Sequence, residues 1–154
     1  MYRRIMVPLD GSKLAECVLP HVEAFVKGFQ PTDVFLVRVE ASDPQFEHLA
    51  DFPDLQKRVL EYEETKKSAG QKYLEGVAKR FGQAGTVIHS EVLLAAEITE
   101  GLILFAEKSD VDLIVIATHG RSGITRWVMG SVADKLLRSA SAPVFMVRAP
   151  GMDA

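Results

Sequence analysis

Five short apolar runs alternate with four stretches of helical periodicity, and this alternation limits the fold more than any other feature of the chain. The runs are Ile5 to Leu9, Val34 to Val39, Thr86 to Leu94 (alternating at first), Leu113 to Ala117 and Val144 to Val147. After the first, Leu14, Val18, Val22, Phe25, Val26 and Phe29 recur at helical spacing, with Ser12 placed to cap the helix. Pro20 lies inside that pattern and predicts a kink, because proline removes one backbone hydrogen bond. Leu55, Val59, Tyr62, Ala69, Tyr73, Val77 and Phe81 mark one long amphipathic helix after a long connection, Glu40 to Pro53. Ile98, Leu102, Phe105 and Ala106 share a face of a third helix ending near Ser109, and a fourth runs from Gly130 to about Ser139. Apolar strands in the order β-α-β-α-β-α-β-α-β need cover on both faces. Right-handed crossovers then predict an α/β fold: a five-stranded, doubly wound, Rossmann-like parallel sheet with helices on both faces. Ligands of such sheets bind at the carboxyl ends of the strands, where the winding reverses. Here those ends are Pro8-Leu9-Asp10 and Ala117-Thr118-His119-Gly120.

Composition narrows the function classes. A chain of 154 residues is most simply one domain, read here as residues 1–148 with a loose tail over 149–154. A net charge of −3 argues against a nucleic-acid coat or an anionic-membrane binder. No apolar stretch approaches the roughly 20 residues that span a bilayer, and Met1-Tyr2-Arg3-Arg4 does not resemble a signal peptide, so a cytoplasmic protein is expected. The sole cysteine, Cys17, excludes an intrachain disulfide and a cysteine-rich metal site.

Residues 112–131 carry the sharpest functional signal. The apolar run ends at Thr118-His119-Gly120, a loop with two arginines and three glycines follows, and Gly130-Ser131 opens the fourth helix. Helix-opening N–H groups lack intrahelical partners and carry partial positive charge, and glycine lets backbone close on phosphate oxygens. A strand, a glycine loop and a helix N-terminus together point to a nucleotide phosphate.

With these elements placed, the sequence resembles the universal stress protein family over nearly its full length. Arg4 through Ser12 is similar to the family's opening strand and turn, and Ala142 through Arg148 to its last strand. Asp112 to Gly120, Arg121-Ser122-Gly123 and Met129 to Ala133 match its C-terminal signature. The nucleotide-binding branch carries a Gly, two residues, a second Gly, nine residues, then Gly-Ser or Gly-Thr. Gly120 is the second glycine here, Arg121 to Met129 are the nine, and Gly130-Ser131 closes the motif, whereas Ala117 replaces the first glycine. The resemblance implies that Gly120, Gly130, Ser131 and Val132 bind the triphosphate of ATP, and that Asp10 lies near the phosphates and their Mg²⁺ or Mn²⁺. It implies that Pro8, Leu9, Val39 and Ile116 pack around adenine and ribose, beside Ala117. It also implies a homodimer, for which the apolar run Val144 to Val147 offers a sheet edge.

Plainer roles stand beside these. Asp10-Gly11-Ser12 also suits a turn and helix cap, Arg121 either screens phosphate charge or faces solvent, and His119 suits a bond to loop backbone better than general-base work. There is no Gly-x-x-x-x-Gly-Lys-Ser/Thr loop and no lysine in the glycine loop, so at most slow ATP hydrolysis is expected. Ala117 keeps open an alternative: a dimeric interaction module of the same fold that binds no nucleotide.

Overall fold

A computed structural model describes residues 2–42, 52–81, 85–118 and 131–149. Its elements are β1 (Arg4–Pro8), α1 (Leu19–Phe29), β2 (Asp33–Ala41), α2 (Pro53–Ala78), β3 (Val87–Ala95), α3 (Ile98–Lys108), β4 (Leu113–Thr118), α4 (Ser131–Ser139) and β5 (Val144–Arg148). The five strands form one sheet in the order β3-β2-β1-β4-β5, every pairing parallel. From β1 the chain steps outward through β2 to β3, then crosses back to β4 beside β1 and continues to β5. The winding therefore reverses between β1 and β4, as the order of elements predicts.

Alternation along the strands divides the core in two. Ile5, Val7, Val34, Leu36, Leu113 and Val115 join Val22 and Val26 of α1 and Leu74 and Val77 of α2 on one face. Met6, Val37, Ile114 and Ile116 join Leu102 and Ala106 of α3 and Ala133 and Leu136 of α4 on the other. Each fully buried aliphatic side chain of this kind contributes about 1.5–3 kcal/mol.

Three local features differ from the sequence reading. Pro20 does not kink a continuous helix. Residues Ala15–Val18 form a separate 3₁₀ turn, and Pro20 lies in the opening turn of α1, where a missing N–H costs little. The α2 stripe is buried only at its C-terminal end, at Gly70, Leu74 and Val77, while Leu55, Leu60 and Tyr62 are exposed. At about 1.5 Å per residue its 26 residues span about 39 Å, longer than the nine-residue strand β2 at about 30 Å. Ala149, read as the start of the tail, is buried and donates its N–H to Thr118 O at 3.0 Å; residues 150–154 lie outside the described residues. No described helix is long and apolar enough to cross a membrane.

Candidate functional site

The β1–β4 ladder is shorter than its neighbours, and a proline explains why. β1 pairs with β2 through Pro8–Val37, but with β4 only at Ile5–Leu113 and Met6–Ile114. In parallel strands the bonding groups of successive residues point to alternate sides. Arg3 O accepts from β2 and Arg4 O from Asp112 before β4, whereas Leu9 donates to Val37 O at 2.8 Å. Pro8 thus turns its nitrogen toward β4, and that nitrogen has no hydrogen to give. The two strands part beyond this point.

A cavity of about 220 Å³ opens in the gap. Pro8, Leu9, Val39 and Ile116 line it, together with Ala117, Asp10, Ser131 and Val132. Eight of the eleven residues singled out from the sequence therefore meet at one place; Gly120, Arg121 and Gly130 lie outside the described residues, as does His119. The reading missed Leu14, Ala15, Val37, Ile98, Leu102 and Ala133, which also line it. Ile98 and Leu102 were legible as one stripe of α3, but nothing in that stripe separates residues facing the cavity from residues facing the core.

The polar end of the cavity is built by a turn. Ser12 N–H donates to Asp10 Oδ1 at 2.8 Å, and Ala15 N–H to Ser12 Oγ at 3.0 Å. Gly11 sits at φ 89°, a conformation that favours glycine. Asp10-Gly11-Ser12 thus forms the expected turn, and the Ser12 hydroxyl accepts the N–H that opens the 3₁₀ turn. By contrast α1, the helix it was expected to cap, starts at Leu19 with no side-chain cap. The same turn brings Asp10 to the cavity. Ser131 enters as the first residue of α4.

The two helices that flank the cavity are tied together. Glu97 caps α3 by accepting the Glu100 N–H at 2.7 Å, and Lys135 of α4 donates to its other oxygen at 3.2 Å. The bond from Glu100 N–H, aided by Lys135, holds the Glu97 carboxyl below its ordinary range. This link joins the helix bearing Ile98 and Leu102 to the helix bearing Ser131, Val132 and Ala133.

Asp10 is the only titratable residue among the described residues lining the cavity. No group of three His, Cys, Asp or Glu side chains fit to hold a metal occurs among the described residues. A lone carboxylate fits Mg²⁺ only where phosphate and water supply the remaining ligands, which is that ion's usual arrangement.

Comparison with known proteins places the whole architecture. The model of the Universal stress protein family matches residues 1–148. Universal stress protein MJ0531 of Methanocaldococcus jannaschii is 32% identical over 150 residues, covering 97% of this chain and 84% of that one. The solved structure of MJ0577, a universal stress protein of the same organism, superimposes with a TM-score of 0.69 at 26% identity, covering 98% of this chain and 99% of that one. A universal stress protein solved in complex with cAMP shares the fold, with a TM-score of 0.59 at 17% identity over 97% of this chain and 98% of that one.

Proposed function

This chain belongs to the universal stress protein family, and from that membership and the cavity between β1 and β4 we propose that it binds an adenine nucleotide, ATP with Mg²⁺ or Mn²⁺. The observation that carries the reading is the polarity of the cavity. Among the described residues its walls are apolar, at Pro8, Leu9, Val39 and Ile116, and the polar lining comes from Asp10 and Ser131. A flat, apolar-faced base suits the walls. The phosphates would extend past Asp10 toward Ser131, Val132 and the glycine loop with Gly120, Arg121 and Gly130.

Charge then dictates the metal. Asp10 alone would repel a triphosphate, and a divalent cation held by Asp10 would offset that repulsion. The cation would screen the phosphates and orient them; Asp10 would hold it from the protein side. In this reading Asp10 is engaged by the cation and no second titratable side chain lines the cavity among the described residues, so hydrolysis would be slow or absent. In this reading residues 1–148 are one cytoplasmic nucleotide-binding domain, and nucleotide occupancy alters assembly or partner contacts during stress. The assembly would be a homodimer through β5, which lies at the sheet edge with Phe145 and Met146 exposed.

A second reading rests on Ala117, whose methyl-bearing residue lines the cavity where the family's motif has glycine. It keeps the fold and the dimer and discards the ligand. Calorimetric titration with ATP, with and without Mg²⁺, separates the two. The nucleotide reading expects micromolar binding that needs the metal, and an Ile116→Trp variant, which fills the cavity, should lose it. Absence of heat at millimolar MgATP, with binding restored by Ala117→Gly, would establish the second.

A further inference from the structure

Val37 and Val39 line the cavity, so alternation turns the residue between them, Arg38, to the opposite face of β2. There the guanidinium is held on several sides. Its Nε donates to Glu40 Oε1 at 2.6 Å, and its Cζ lies 5.7 Å from the Tyr73 ring centroid. Its stem runs past Gly70, where a Cβ would come within 3.4 Å of Arg38 Cδ. Its Nη1 packs on Gly11 so closely that a Cβ there would lie 2.8 Å away. The Tyr73 hydroxyl in turn donates to Glu16 Oε1 at 3.1 Å, and Arg80 Nη1 to Glu16 Oε2 at 3.0 Å.

We infer that Arg38 is a positioning residue for the Asp10–Gly11–Ser12 turn, bracing the phosphate end of the cavity from behind and joining it to α2; this rests on the nucleotide reading above. Gly11 gives the turn a conformation few residues adopt, and the same freedom lets the flanking peptides rotate. A planar group fixed by Glu40 and Tyr73 and pressed on Gly11 removes that freedom. Arginine suits the task because its charge is permanent and its fork rigid, and lysine supplies only the charge. Asp10 thereby keeps the orientation in which one oxygen accepts from Ser12 N–H and the side chain reaches the cavity.

Arg38→Met, which keeps the stem and removes the fork, and Arg38→Lys test this with three readouts. In Arg38→Met, MgATP affinity should fall about tenfold, the scale typical of removing a group that supports a ligand, while adenosine affinity changes by less than about twofold. Without any nucleotide, exchange of the Ser12 amide hydrogen should quicken about tenfold as the turn loosens. Arg38→Lys should recover part of both effects. Equal losses for adenosine and MgATP, or unchanged Ser12 exchange, would overturn the inference while leaving the nucleotide reading intact. If the wild type binds neither ligand, the nucleotide reading fails, and Ser12 exchange alone decides whether Arg38 braces the turn.

Discussion

Replacing Gly101 with alanine sets two opposing effects against each other where α3, the helix bearing Ile98 and Leu102, packs on the sheet. Gly101 lies in α3, where a Cβ would sit 2.9 Å from Ala95 Cβ and 3.5 Å from Val39 Cγ1. Ala95 belongs to β3 and has no flexible end to swing aside, so α3 itself must move. Overpacking of this kind costs about 1–3 kcal/mol. Alanine is also the better helix former by about 1 kcal/mol, which leaves a net loss of about 0–2 kcal/mol. Gly76 in α2 supplies the control, because a Cβ there meets nothing within 4 Å and Gly76→Ala should simply gain the helix term. The gap between the two variants isolates the overpacking, about 1–3 kcal/mol, or about 2–12 °C in melting temperature at this chain length. Urea unfolding followed by circular dichroism reads it directly. Because α3 carries Ile98 and Leu102, the proposed nucleotide affinity should also fall in Gly101→Ala and hold in Gly76→Ala. A Gly101→Ala protein stabilised as much as Gly76→Ala would refute the close packing of α3 on β2 and β3.

Other outcomes follow from single contacts. Asp33 accepts from His89 at 2.7 Å, and that bond, with Thr32 and Arg4 nearby, holds its carboxyl below the ordinary range. A depressed carboxyl stabilises the fold above its unfolded pKa and loses that contribution as pH falls through the folded one. Asp33→Asn should therefore be less stable than wild type by chemical denaturation near pH 6, and the difference should close as pH falls from the ordinary aspartate value of about 3.9 through the depressed folded one. Burial and the neighbouring Glu16 push the Tyr73 hydroxyl well above the usual phenol range. A raised pKa gives stability that is lost as pH rises past the unfolded value of about 10, so Tyr73→Phe should blunt alkaline unfolding between about pH 10 and 12. At the β5 edge, Phe145→Lys should convert the proposed dimer to monomer in light scattering, since a charge on an edge strand blocks pairing. A wild-type monomer at micromolar concentration would remove the dimer altogether.

The fold was legible because its two central strands are apolar throughout: Ile5 to Val7 and Leu113 to Ile116 bury both faces, the pattern of a covered parallel sheet. Prolines were harder to place. Pro20 reads as a kink and Pro8 as one more apolar residue, yet Pro20 opens a helix and Pro8 opens the cavity. Their effects depend on which neighbour faces the missing N–H, and periodicity does not carry that. The cavity residues named from strand ends and from the helix start, Asp10 and Ser131 among them, were legible because topology alone brings those termini together. Val37, Leu14 and Ala133 were not, because apolar residues that line a cavity obey the same spacing as those that fill a core. Arg38 escaped for a related reason. A charged residue in a buried strand stands out only once Gly11, Glu40 and Tyr73 are seen around it.

The central claim is that an adenine nucleotide occupies the gap between β1 and β4. Titrating isotope-labelled protein with MgATP and following backbone amide shifts tests it most directly. Saturable shifts are expected at Leu9, Asp10, Val39, Ala117, Ser131 and Val132, with the exposed first turns of α2 unchanged. No shifts at millimolar MgATP, or shifts centred away from these residues, would contradict it.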